Sequence, residues 1–133
     1  VGLFSLALAR RGFEVTAVEA SMSAVADLGF NTERAGVNMA VYKAAAELWM
    51  DEQTEAPDFV LADPPRSGLG KNGARALARL KPTQLSIVSC DPSTLARDLA
   101  TLRSVGYEIE SMTLVDLFPH TSHIETVTKL RMS

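Results

Sequence analysis

An α/β fold built on a mostly parallel sheet is predicted for these 133 residues by three observations. Short apolar runs of strand character, FVLA at 59–62 and LSIVS at 85–89 among them, alternate with stretches of helical periodicity. Polar or proline-containing turns follow these runs at their carboxyl ends. The last two extended stretches are separated only by residues 118–123. A parallel crossover needs about a dozen residues, so the final strand runs antiparallel to the one before it.

The elements follow in order. Residues 5–11 read as a helix ended by Gly12, and 14–19 (EVTAVE) as a short strand. A helix over 22–35 comes next, with Gly29 and Asn31 weakening its middle. Residues 37–43 form a weak strand and 47–51 a brief helix. The run 59–62 is a buried strand ended by Asp63-Pro64-Pro65, because proline cannot continue a central ladder. A helix over 73–80 is closed by Pro82, and 85–89 is the next buried strand. Asp91-Pro92-Ser93-Thr94 supplies a turn and cap to a helix over 94–105, where Leu95, Leu99 and Leu102 recur at helical spacing before Gly106. Residues 108–117 and 124–132 are extended; Val127 alternates with Thr126 and Thr128 as in an edge or half-covered strand.

Composition narrows the function. Hydrophobic residues at 47% and charged residues at 22% place the chain among folded globular proteins rather than disordered ones. No apolar run approaches the roughly 18 residues that span a bilayer. The basic residues near the start follow the apolar run instead of preceding it, unlike a signal peptide, so a cytoplasmic location is expected. Cys90 is the only cysteine, which excludes an intrachain disulfide. His120 and His123 form an HxxH pair without an obvious third ligand, so no metal is expected. The net charge of −3 argues against a domain held on nucleic acid by charge alone. Yet 66–81 carries five basic residues, Arg66, Lys71, Arg75, Arg79 and Lys81, and no acidic one. That stretch is either a solvated helix face or a phosphate-contacting patch.

Open α/β sheets bind ligands beyond the carboxyl ends of their strands. Those ends carry Glu19, Asp63 and Cys90, and an antiparallel last strand brings Glu125 and the 118–123 loop to the same edge. A carboxylate at the position of Glu19, after a partial glycine loop ending at Gly2, commonly accepts hydrogen bonds from a nucleoside ribose. The prolines after Asp63 make a rigid loop able to hold a carboxylate against a planar base, or simply end the strand. Cys90 is either a small buried hydrophobe or a nucleophile beside a helix N-terminus, whose free amides favour a thiolate. Asp91 opposes that by like charge unless it points away or caps the helix.

Phe4-Ser5-Leu6 with Glu19, Asp63-Pro64-Pro65-Arg66, Ser89-Cys90-Asp91-Pro92, Thr94-Leu95-Ala96-Arg97-Asp98-Leu99, Phe118-Pro119-His120-Thr121 and His123-Ile124-Glu125-Thr126-Val127 together resemble the RNA 5-methyluridine methyltransferase family. The resemblance covers essentially the whole chain. It implies a Rossmann-like class I methyltransferase fold whose first strand is absent, with 1–133 as a catalytic domain truncated at its N-terminus and lacking the RNA-binding domain. It implies S-adenosylmethionine as cofactor and a uridine of transfer or ribosomal RNA as target, without metal or membrane. By the same resemblance Cys90 is the nucleophile and Glu125 the base, while Asp63, at the boundary between cofactor and target base, counts among both the catalytic and the cofactor-binding residues. Gly2, Leu3 and Glu19 contact the cofactor, and Ala45 stands where a polar residue usually meets the adenine. Pro64, Arg66, Phe118 and His120 line the place of the uracil. The residues leave open a methyltransferase of the same fold acting on protein or a small molecule, a nucleotide- or RNA-binding module without catalysis, and an inactive fragment.

Overall fold

A computed structural model describes residues 1–133. The chain divides into two compact units, Val1–Trp49 and Met50–Ser133.

In the first unit, helix α1 (Leu3–Arg10), strand β1 (Thr16–Glu19), helix α2 (Met22–Ala35) and strand β2 (Ala40–Lys43) follow one another, and helix α3 (Ala46–Glu52) crosses the boundary. β1 and β2 pair in parallel, from Thr16 with Ala40 to Glu19 with Lys43. Two residue choices position the start. Gly2 caps α1 in the left-handed region at φ 86°, a conformation that favours glycine, and a Cβ there would press to 2.5 Å on the tip of the Leu28 side chain. Ser21 caps α2 by accepting from the Ala24 N–H at 3.4 Å, and left-handed Gly36 ends it. Gly29 and Asn31 sit inside α2 without breaking it.

The second unit contains β3 (Phe59–Ala62), α4 (Gly70–Leu80), β4 (Gln84–Ser89), α5 (Pro92–Ser104), β5 (Tyr107–Val115) and β6 (Glu125–Met132). Its four strands lie in the order β3-β4-β6-β5. β3 and β4 are parallel, and β6 runs antiparallel to both β4 and β5. The antiparallel last strand expected from the short connection is therefore present. It is an inner strand, however, and the edge alternative falls. Its alternation is that of a half-covered strand: Thr126, Thr128 and Leu130 are buried, while the residues between them are more open.

The core of this unit comes from Ala74, Ala76, Leu77 and Leu80 of α4, Leu95, Leu99 and Leu102 of α5, and Leu85, Ile87 and Leu130 of the sheet. Each leucine buried this fully contributes roughly 1.5–3 kcal/mol. Lys81 turns left-handed at φ 53° and is followed by buried Pro82, a stop that the sequence announces through the proline. Several bounds differ from expectation. α4 begins three residues early, at Gly70, and α5 begins two residues early, at Pro92, directly after its cap Asp91. β1 and β2 start later than expected, and β5 ends two residues earlier. No helix is long and apolar enough to cross a membrane.

Candidate active site

Within the second unit the parallel β3 and β4 end at one edge, and the antiparallel β6 begins there. That edge carries Asp63, Cys90, Glu125 and the 118–123 loop.

Cys90 is half-buried, unlike a core cysteine, and sits in a turn fixed on both sides. The Ser89 hydroxyl accepts from the Asp91 N–H at 3.2 Å and donates to the Asp91 carbonyl at 3.1 Å, bracketing the cysteine backbone. Asp91 then caps α5, its carboxylate accepting from the Thr94 N–H at 2.9 Å, with Pro92 opening the helix. The Thr94 N–H holds the Asp91 carboxyl below its usual 3.8. Of the two alternatives for Asp91, pointing away or capping the helix, the second holds. Ser89 was visible in the sequence only as part of a motif; a hydroxyl two residues before an aspartate is the signal for such a local turn.

Glu125 is the first residue of β6 and is half-buried. The ladder between β4 and β6 pairs Val88 with Val127 and Ser89 with Thr126. Cys90 and Glu125 are the next residues on each side. Residues opposite each other across an antiparallel ladder project to the same face, with Cα atoms about 4.5–5.5 Å apart. Thirty-five positions of sequence separation collapse to one step beyond a strand pair.

Asp63 follows β3 directly. Its residue surface is open, yet the surrounding chain withdraws enough water from the carboxyl to raise it above 3.8. Pro64 is half-buried and Arg66 exposed, and the Gly68 N–H donates to the Pro65 carbonyl at 2.8 Å as the loop turns. In the 118–123 loop Phe118 and His123 meet edge to face at 6.5 Å. Phe118 and His120 are exposed, and His120 adopts a left-handed φ of 67°. No group of three or more His, Cys, Asp and Glu side chains clusters as a metal site would require.

The remaining candidates lie in the first unit. Gly2 opens α1 and Leu3 is exposed at its first turn. Glu19 ends β1, with one carboxylate oxygen accepting from the Ser21 N–H at 2.9 Å. Its carbonyl accepts from the Ala44 N–H at 3.1 Å, which brings Ala45 next to that strand end. The set suits a nucleoside: a glycine turn at a helix N-terminus, and a carboxylate oriented by a backbone amide with a second oxygen left for hydroxyls.

The basic stretch offers less free charge than its sequence suggests. Arg75 and Arg79 both bond to Asp51, at 2.8 and 3.3 Å, and Arg79 also donates to the Met50 carbonyl. Arg75 chiefly holds the Asp51 carboxyl below its ordinary value. Arg66, Lys71 and Lys81 are exposed. Two shallow depressions, about 260 and 310 Å³, lie at the amino ends of the strands, one around Phe59 and Gln84 and the other around Thr16 and Ala40, away from the candidate residues.

The family model described as tRNA (Uracil-5-)-methyltransferase matches residues 1–132. The chain is 42% identical over 127 residues to the 23S rRNA (uracil(1939)-C(5))-methyltransferase RlmD of Chromohalobacter salexigens, covering 96% of this chain and 26% of that protein. It is 39% identical over 131 residues to the 23S rRNA (uracil(747)-C(5))-methyltransferase of Pyrococcus abyssi, covering 98% and 31%. The crystal structure of Pyrococcus abyssi tRNA (uracil-54, C5)-methyltransferase in complex with S-adenosyl-L-homocysteine superposes with a TM-score of 0.86 at 36% identity, over 97% of this chain and 31% of that one. The chain therefore spans under a third of the length of each of these relatives. Precorrin-6y C5,15-methyltransferase of Geobacter metallireducens shares the fold, with a TM-score of 0.77 at 16% identity over 97% of this chain and 73% of that one.

Proposed function

The chain belongs to the tRNA (uracil-5-)-methyltransferase family, and from that premise we propose that residues 1–133 form the catalytic part of an enzyme that methylates C5 of a uridine in RNA. The relatives' names divide between ribosomal and transfer RNA, so the proposed substrate class is a structured RNA of either kind. The observation that carries the reading is the ladder register that ends at Ser89 and Thr126, with the thiol and the carboxylate as the next residues.

S-adenosylmethionine, when bound, supplies the methyl group as an electrophilic sulfonium. Gly2, Leu3, Glu19 and Ala45 are the residues proposed to hold it. In this scheme Glu19 takes the ribose, and Ala45 contributes packing and backbone where a polar side chain is usual. Asp63 acts between cofactor and uracil, and Pro64, Arg66, Phe118 and His120 shape the place of the base.

The chemistry follows from what uracil lacks. Its C5 is a weak nucleophile. The Cys90 thiolate adds to C6, forming the C–S bond while the C5–C6 π pair moves onto C5 and the O4 carbonyl. C5 then takes the methyl group and becomes tetrahedral, the S–CH3 bonding pair staying behind on a neutral thioether sulfur. Glu125 removes the C5 proton, the C–H pair re-forms the C5–C6 double bond, and the C6–S bond breaks to release the thiolate. A donor to the uracil carbonyl would lower the barrier while charge sits there, each such donor being worth about 3 kcal/mol. A base inside a stack cannot reach this edge, so the uridine lies in a loop or is flipped out at a cost of roughly a few kcal/mol.

The test uses two variants in the complete polypeptide. Cys90→Ala is expected to abolish methyl transfer. Glu125→Gln is expected to stop after transfer, leaving RNA covalently attached to protein and retarded on a denaturing gel. Methylation by Cys90→Ala, or no retarded band with Glu125→Gln, contradicts the reading.

A further inference from the structure

Between the end of β3 and the start of α4 the backbone must travel from Asp63 to Gly70 without regular structure. The segment is tied down by α5, and by one face of it. Thr94, Arg97 and Asp98 are spaced three and four apart, so their side chains leave the helix on the same side. The Thr94 hydroxyl donates to the Arg66 carbonyl at 3.0 Å. The Arg97 guanidinium donates to the Ser67 carbonyl at 2.7 Å. The Leu69 N–H donates to the Asp98 carboxylate at 2.6 Å. Four consecutive residues of the loop are thereby covered, for the fourth, Gly68, is held by exclusion. At φ 76° it has no Cβ, and one placed there would collide with the Asp98 carboxylate and lie 2.8 Å from Arg97 Nη2 and 3.1 Å from Thr94 Cβ.

The clamp is itself braced. Asp98 is buried, at 2% exposure, and Arg97 satisfies its other oxygen through Nε at 3.1 Å and Nη2 at 2.9 Å. A buried carboxylate so fully engaged is costly to loosen, because any lost partner leaves charge without solvent. The same helix is capped by Asp91, the residue after Cys90, and the Thr94 hydroxyl also lies 3.2 Å from the Asp91 carbonyl. Thr94 thus touches both the turn that carries the cysteine and the loop that follows Asp63.

We propose that Thr94, Arg97 and Asp98 are positioning residues that splint the 66–69 loop to the Cys90 turn and so fix Asp63-Pro64-Pro65-Arg66 relative to the thiol. This rests on the function proposed above, since it assigns that loop to the reacting base. None of the three touches the base. They set the distance between two loops that do, and misplacement by about 1 Å at such a site can cost a hundredfold in rate.

The experiment pairs a measurement of the loop with a measurement of the reaction, both in the complete polypeptide. Thr94→Val removes the hydroxyl and keeps the backbone N–H that Asp91 caps; Thr94→Ser keeps the hydroxyl; Asp98→Asn weakens the bond from Leu69. The proposal predicts that Thr94→Val and Asp98→Asn accelerate amide hydrogen exchange at Ser67, Gly68 and Leu69 while β4 and β6 stay protected. It also predicts that they lower kcat about tenfold with KM for S-adenosylmethionine nearly unchanged, and that Thr94→Ser restores both. Accelerated exchange with wild-type kcat would reduce the clamp to a structural role and overturn the proposal. Unchanged exchange, or no rescue by serine, would overturn it equally. A wild-type protein that forms no 5-methyluridine removes the functional reading, and the positioning role with it. The exchange data would still report whether α5 holds the loop.

Discussion

Asp91 illustrates how one side chain organises the turn beside Cys90. In the sequence it stands beside Cys90 as a like charge. In the fold its carboxylate is occupied by the Thr94 N–H, which also depresses its pKa below 3.8. A carboxyl whose folded value is depressed stabilises the protein above its unfolded pKa, and that contribution fades as pH falls through the folded value. Asp63 has the opposite sign: its raised value means a contribution present below 3.8 and lost as pH rises through the folded pKa. Thermal melts from about pH 5 down to about pH 2 should therefore show a shallower acid loss of stability for Asp91→Asn than for the wild type. Parallel acid limbs in the two proteins would mean that the cap is not formed. Ser89 supplies the other half of the bracket, a contact the sequence reading did not anticipate.

Strands and helices were legible where local chemistry sets their ends. α2 and β3 occupy the expected residues, the first because Ser21 and Gly36 cap it and the second because Asp63-Pro64 stops it. α5 was entered two residues late because proline is a good first helical residue once an aspartate precedes it. What the sequence could not disclose is partnership at long range. The place of β6 between β4 and β5 depends on pairings some forty and twenty residues apart, and no local pattern encodes their order. The capture of Arg75 and Arg79 by Asp51 is hidden for the same reason. Tyr107 is a further case. It opens β5 at 2% exposure and donates to the carbonyl of Pro82 at 2.8 Å, and burial pushes its phenol up to about 12. Tyr107→Phe leaves that carbonyl without its partner and should destabilise the protein by about 1–2 kcal/mol in urea unfolding. An unchanged midpoint would remove this bond from the account of how the α4–β4 connection is tied to β5.

For the chain as a whole, the chemistry proposed depends on topology more than on any single motif. In the second unit the parallel pair of β3 and β4 ends at one edge, and the antiparallel β6 between β4 and β5 returns Glu125 to that edge. With a net charge of −3, the exposed cations of the basic stretch are Arg66, Lys71 and Lys81. The most direct test of the central claim, a thiol and a carboxylate serving one ring, is to incubate the complete polypeptide with S-adenosylmethionine and RNA bearing 5-fluorouridine. Fluorine at C5 cannot leave as a proton, so the carboxylate has nothing to remove and the thiol cannot depart. Peptide mass spectrometry is predicted to find a methylated fluorouridine attached through Cys90. Free RNA methylated at C5 with an unmodified Cys90 peptide, or an adduct on any other residue, would contradict the account.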